Sequence, residues 1–168
     1  GRALAAMGYL AEGEPAKRLF TLGMVFLNGA KMSKSKGNVI TQDEMVRRYG
    51  ADTLRLWEMF MAPPVQQVEW STVGIEGCHR FIKRIFAMMG APNTAAPTEQ
   101  AEQMRHKTIR RVTEAIESFR YNTAISALME FASVVEQRPW RKGVRTLVDL
   151  VAPFAPFAAE EIVHRWGE

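Results

Sequence analysis

Three lysines, Lys31, Lys34 and Lys36, fall in one short run with Met32, Ser33 and Ser35, followed by Gly37 and Asn38. These residue types can handle phosphate. Ammonium groups neutralise charge that develops on a transferring or departing phosphate, while serine hydroxyls and loop N–H groups orient its oxygens. Gly37 lets the backbone approach a ligand closely. A loop of this kind can also close only when its ligand arrives. Composition alone favours a solvated surface loop. The order of the residues, and what flanks them, reverses that preference.

The run must be positioned by its neighbours. Leu19 to Leu27 is rich in Phe, Leu and Val and leads into Asn28-Gly29, the dipeptide suited to the positive φ angles of a tight hairpin turn. A strand is therefore expected to turn there and deliver Lys31 onward as a loop. Thr41-Gln42-Asp43-Glu44 matches a capping box and predicts a helix from about 42 to 48. Gly50 should break it, and Asp52 should cap a second helix whose apolar side is Leu54, Leu56, Trp57, Phe60 and Met61. Pro63-Pro64 ends that helix, since neither residue donates a backbone bond and each disfavours helix in its predecessor. A domain boundary is placed here, giving blocks 1–62 and 63–168.

The second block reads as helix throughout. Val73, Cys78, Phe81, Ile82, Ile85, Phe86 and Met89 recur at three- and four-residue steps, with Arg80, Lys83 and Arg84 on the other face. Residues 91–97 form a Pro, Asn and Ala linker. Ile109, Val112, Ile116 and Phe119 mark the next stripe, and Ile125, Leu128, Met129, Ala132 and Val135 mark another from 122 to 136. Residues 144–151, Pro153 and Pro156, then 158–166 complete a predicted antiparallel bundle of four or five helices. The expected fold class is mainly α: a short α/β edge followed by this bundle.

Bulk properties narrow the function without choosing it. The 168 residues are 47% hydrophobic and 24% charged, enough for one core or one plus an appendage. A net charge of +4 permits an anionic partner but is modest for a dedicated nucleic-acid binder. The single Cys78 excludes an intrachain disulfide and any cysteine-cluster metal site, fits a reducing compartment, and reads as a small core residue. No metal site is expected. Neither a signal-like start nor an 18-residue apolar segment occurs, so a cytoplasmic protein without membrane contact is expected. Both ends read as cut: there is no initial methionine, and the chain stops directly after an amphipathic stretch.

The run from Gly29 to Val39, Gly-Ala-Lys-Met-Ser-Lys-Ser-Lys-Gly-Asn-Val, resembles the second signature of class I aminoacyl-tRNA synthetases, and its five-residue centre shows no departure. The likeness continues through Tyr49-Gly50-Ala51-Asp52-Thr53-Leu54-Arg55-Leu56, shared by the leucyl, isoleucyl, valyl and methionyl members. Met61-Ala62-Pro63-Pro64, Val68-Glu69-Trp70-Ser71 and Gly74-Ile75-Glu76-Gly77 with Arg80-Phe81 resemble the leucyl branch best. So do His106-Lys107-Thr108-Ile109 and the stretch Tyr121 to Glu130. The resemblance covers about residues 15–166.

It implies a Rossmann-like catalytic domain's edge followed by an anticodon-binding-type bundle. The implied reaction is ATP-dependent activation of leucine to leucyl-adenylate, with Mg2+ accompanying ATP, then transfer of leucine to tRNA-leucine. Carried onto this loop, Lys34 would stabilise the α-phosphate transition state and departing pyrophosphate, with Lys31 assisting. Ser33 and Ser35 would be orienting donors, and Lys36, Gly37 and Asn38 would complete the ATP loop. Met32 would either pack at the adenine side or anchor the loop. On the bundle, Arg80, Lys83, Arg84, Arg105, Lys107, Arg110 and Arg111 are the candidate contacts to tRNA phosphates.

There are departures. The family's other ATP motif, a His-x-Gly-His-like helix start, is missing: His79, His106 and His164 are not so spaced. The leucine pocket, most of the parallel sheet and the editing domain would lie upstream. The chain is therefore expected to be an excised or truncated piece, or half of a split enzyme, inactive without the missing N-terminal portion. Where relatives often read Ala-Pro-Phe-Ala-Pro-His, this chain ends the motif in Phe157, which puts a polar contact there in doubt. Two rival readings remain: a stand-alone tRNA- or RNA-binding module, and a piece of an isoleucyl, valyl or methionyl enzyme.

Overall fold

The computed structural model describes residues 2–11, 20–90 and 94–167. Leu19 and the first part of the linker, 91–93, lie outside the described residues; the strand expected over Leu19 to Leu27 forms only at Val25–Leu27, residues 20–24 being without regular structure. Helix α1 spans Arg2–Ala6, and strands β1 (Val25–Leu27) and β2 (Ala30–Lys31) follow. Helices α2 (Gln42–Tyr49) and α3 (Ala51–Phe60) lead to β3 (Val68–Glu69). Then come α4 (Thr72–Gly90), α5 (Glu99–Glu117), α6 (Tyr121–Gln137), α7 (Arg141–Val151) and α8 (Pro156–Arg165). The molecule is thus mainly helical, with one small sheet at the loop-bearing end.

In that sheet β1 lies between β2, which it pairs antiparallel, and β3, which it pairs parallel. The expected hairpin forms: Asn28 (φ 53°) and Gly29 (φ 72°) both take the left-handed conformation that a two-residue type I′ turn requires. Gly29 N–H also donates to Glu69 Oε1 on β3 at 3.1 Å, which ties the turn to the far strand. The parallel pairing makes the lysine run, α2 and α3 a single crossover between adjacent strands.

Half of the expected capping box forms: Thr41 Oγ1 accepts from Glu44 N–H at 3.3 Å to start α2, while among the described residues the Glu44 side chain makes no return bond to Thr41 N–H. Asp52 does not do what its position suggested. Gly50 is the N-cap of α3, and Asp52 is a buried residue inside the helix whose Oδ2 accepts from Ala158 N–H at 2.6 Å. It therefore caps α8, a helix at the other end of the sequence. Pro156 in the first turn of α8 has no N–H to offer, so Ala158 presents one of the few exposed donors there.

One hydrophobic core joins α2 and α3 to the bundle, with Leu56, Ile75, Ile125, Leu128, Phe131 and Phe154 among its fully buried members. Cys78 belongs to it, and burial pushes its thiol up to about 12. Two stripes differ from the sequence reading. Val73 sits at the start of α4 and is 75% exposed, because the burying face of that helix is set by Ile75, Cys78, Phe81, Ile82, Ile85 and Met88. On α5 the buried residues are Ala101, Arg105, Thr108, Val112 and Ala115, whereas Ile109 and Ile116 are only partly covered. Small residues in that seam let α5 approach α6 closely. Thr108 returns its hydroxyl to Met104 O at 2.8 Å, so it can be buried without an orphaned donor.

Phe119 is not part of the α5 stripe at all. It lies beyond the helix in the left-handed conformation (φ 56°), the position glycine usually fills in a C-terminal Schellman turn. Phe119 N–H bonds Ile116 O at 3.1 Å and Arg120 N–H bonds Ala115 O at 2.8 Å, the pair of contacts that defines the motif. Its ring stacks on Phe20 at 4.7 Å and meets Tyr121 edge-on, and these contacts offset the backbone cost of roughly 1–2 kcal/mol.

Candidate functional site

The lysine run leaves β2 at Lys31 and is folded into a compact turn. Ser33, in extended conformation, precedes a single 3-10 turn over Lys34–Lys36, and Gly37 closes it with φ 66°. Lys36 N–H donates to Ser33 O at 3.1 Å and Gly37 N–H to Lys34 O at 3.2 Å. The two serine hydroxyls meet, Ser33 Oγ to Ser35 Oγ, at 2.8 Å. Asn38 then reaches back across the turn: its Oδ1 accepts from Ser33 N–H at 2.9 Å and its Nδ2 donates to Lys31 O at 3.2 Å.

Lys31, Lys34, Ser35, Lys36 and Gly37 are exposed, while Met32, Ser33 and Asn38 are half-buried. Among the described residues no carboxylate pairs with any of the three lysines. Their positive charge is therefore available to an anion. Met32 is not a member of the buried core. No group of three or more His, Cys, Asp or Glu side chains that could hold a metal converges among the described residues.

The seven basic residues singled out on the bundle are not one surface. Arg80 and Lys83 on α4 and Lys107 and Arg110 on α5 are exposed, with no ion pair among the described residues. Arg84 instead grips Glu136 on α6, with Nη2–Oε2 at 2.7 Å and Nε–Oε2 at 3.1 Å, and donates to Ser133 Oγ. Arg111 pairs with Glu130 at 2.7 Å, again joining α5 to α6. Arg105 is only 5% exposed. Its guanidinium contacts Glu102 at 2.8 Å, Thr146 on α7 at 3.4 Å and His106 Nε2 at 3.0 Å, and the Arg105 bond holds the Glu102 carboxyl below its usual value. His106 is itself exposed on the helix surface. These three arginines are bracing, and four of the seven face outward.

The carboxylates that matter to the site's support were not apparent in sequence. Glu69, which anchors the hairpin, and Asp52, which caps α8, act over 40 and 106 residues, and no local pattern marks such partners. Beside the sheet an apolar cleft of about 350 Å3 is lined by Leu22, Val25, Met59, Met61, Pro63 and Trp70. Glu58 lies on its wall, and desolvation raises its carboxyl above the usual value against the pull of Arg55. The lysine loop does not line this cleft.

Comparison with known proteins agrees with the order of these parts. A family model described as tRNA synthetases class I (I, L, M and V) matches residues 3–71, and one described as the anticodon-binding domain of tRNA ligase matches 100–168. Leucine–tRNA ligase of Thermotoga petrophila is 44% identical over 96% of this chain and 23% of its own length. That of Syntrophobacter fumaroxidans is 41% identical over 99% of this chain and 23% of its own. Among solved structures, the Agrobacterium radiobacter K84 agnB2 LeuRS, crystallised in a ternary complex with tRNA and LeuAMS, superposes with a TM-score of 0.79. It is 26% identical, over 96% of this chain and 24% of that one. The chain spans about a quarter of the length of the relatives it matches. With relatives of one specificity aligned along nearly its whole length, and both family models in their expected order, the chain belongs to the leucyl-tRNA synthetase branch of the class I aminoacyl-tRNA synthetases.

Proposed function

We propose that this chain supplies the ATP-handling loop and a tRNA-binding helical part of a cytoplasmic leucine–tRNA ligase. The observation that carries the reading is the loop itself: three exposed lysines without carboxylate partners among the described residues, on a turn fixed by a hairpin on one side and a capped helix on the other. In the reaction a leucine carboxylate oxygen attacks the α-phosphorus of ATP. A bond to phosphorus forms, the bond to the bridging oxygen breaks, and its electron pair leaves with pyrophosphate. Lys34 and Lys31 neutralise the charge that builds on the transferring and departing phosphates, and Ser33 and Ser35 orient oxygens. Mg2+ accompanying ATP would supply further charge neutralisation; the loop itself offers it no carboxylate.

The division at residue 62 is part of the same proposal, although β3 (Val68–Glu69) lies beyond it, pairs back onto β1, and makes the second block helical only from Thr72 on. So is dependence on catalytic residues that this chain does not contain, including the other ATP motif, whether they come from one polypeptide or a separate subunit. The test is leucine-dependent pyrophosphate exchange and tRNA charging after mixing this chain with a separately made upstream portion. Activity in the mixture alone, reduced by orders of magnitude with Lys34→Ala and with ATP affinity little changed, is expected. Normal exchange in the Lys34→Ala mixture would refute the assignment. The outward-facing Arg80, Lys83, Lys107 and Arg110 favour a second reading, tRNA binding by the chain without catalysis, which salt-dependent binding with no restored exchange would support.

A further inference from the structure

The side-chain amide of Asn38 is spent inside the loop. Its oxygen holds Ser33 N–H and its nitrogen holds Lys31 O, the backbone groups on either side of Met32. Turning the amide over would set oxygen against the Lys31 carbonyl and nitrogen against the Ser33 N–H, so both partners together fix one orientation. Between them the two bonds join the end of β2 to the start of the 3-10 turn. Gly37, immediately before, adopts the left-handed backbone that brings residue 38 back over the turn. Neither Asn38 bond is supplied by secondary structure, since the ladder ends at Lys31 and the turn begins at Lys34.

We infer that Asn38 is a positioning residue, a latch that fixes the spacing of Lys31 and Lys34, and not a ligand of ATP. This rests on the reading of the loop as an ATP site. With the latch closed, the backbone at Lys31 and Lys34 forms a common base, so only the two side chains are left to order at the moment of reaction. With it open, the Met32-Ser33 segment keeps only the long Met32 N–H bond to Val25 O at 3.5 Å and the bonds of Ser33 within the 3-10 turn, and nothing else among the described residues ties Lys31 to Lys34. The same lysines remain, so affinity for the nucleotide's charge persists while their alignment on the transition state is lost.

The experiment uses the complete synthetase polypeptide carrying Asn38→Ala, Asn38→Asp and, in parallel, Lys34→Ala. Amide hydrogen exchange at Ser33 reads the latch directly, and pyrophosphate exchange against ATP concentration reads kcat and KM. Asn38→Ala should speed exchange at Ser33 by about tenfold, the loss expected for its side-chain bonds, and lower kcat at least as much. Its KM for ATP should stay within about threefold of the parent value. Asn38→Asp keeps an acceptor for Ser33 N–H and should keep that amide protected, while the lost donor to Lys31 O lowers kcat. Unchanged Ser33 protection in Asn38→Ala would overturn the latch, and a raised KM with normal kcat would make Asn38 an ATP contact instead. If Asn38→Ala unlatches the loop but Lys34→Ala exchanges normally, the latch stands and the ATP reading fails.

Discussion

At Gly74 there is no room for even one methyl group. A Cβ built there would lie 2.1 Å from the Trp57 ring, and one at Gly143 would lie 2.4 Å from Trp140. Both glycines sit inside helices, where alanine ordinarily stabilises, so the expected sign is reversed by packing. Gly74→Ala should cost about 1–3 kcal/mol by overpacking, read as a lower urea midpoint. A variant as stable as the parent would mean that the Trp57 ring moves aside freely. Sequence showed Gly74 only as part of a family-like run, because the indole it faces is contributed by another helix. Cys78 was simpler: its place in a helical stripe with Phe81, Ile82 and Ile85 made a core thiol the natural reading, and the structure buries it completely. With its thiol raised to about 12, it should resist alkylation at pH 8 in the folded protein and react in urea, as counted by mass spectrometry.

Between elements, the buried carboxylate that joins α3 to α8 has a signature in pH. Desolvation raises Asp52 above 3.8, outweighing the N–H groups of Ala158 and Phe157 and the charge of Arg55. The folded protein therefore binds this proton more tightly than the unfolded chain. Its contribution to stability is full below the unfolded value and is lost as pH rises through the higher folded one. Glu102 is shifted the other way by Arg105, so its contribution is present above 4.5 and lost as pH falls through the folded value. Urea unfolding across pH 3 to 7 should show Asp52→Asn losing less stability than the parent as pH rises. Parallel curves would sink this account.

The elements themselves were largely legible where the signal is local: the Asn28-Gly29 turn, the Thr41 cap and the periodic stretches of α4 and α6. Misplacements came where a distant element decides. Asp52 has the sequence look of a local cap, yet its partner is on α8. The α5 seam runs through Arg105 and Thr108, polar residues that an apolar stripe cannot reveal and that are buried because Glu102, Thr146 and the Met104 carbonyl satisfy them. For the candidate site, the run of residues suggested phosphate-handling chemistry that remains a proposal, while the bonds made by Asn38 needed coordinates.

For the molecule as a whole, the helical part carries outward cations on α4 and α5, unpaired among the described residues, and surface ion pairs that tie α5 and α4 to α6. These two sets should behave differently towards tRNA. Replacing Lys107 and Arg110 by Ala should weaken binding across sequences and reduce the slope of log affinity against log salt by about 1–2. Arg111→Ala should instead lower stability by less than about 1 kcal/mol, as an exposed pair does, and leave the slope unchanged. Equal slopes for the two variants, measured by filter binding, would contradict that division. The Asp52 contact also has a consequence in time. Its two partners are 106 residues apart, and at bacterial or eukaryotic elongation rates that interval takes about 5–20 s to synthesise. During those seconds the nascent chain carries the α3 segment but has no α8 to receive the Asp52 carboxylate. The corner between α3 and α8 can close only after translation has passed residue 158, and a ribosome stalled earlier would carry a chain whose core is open on that side.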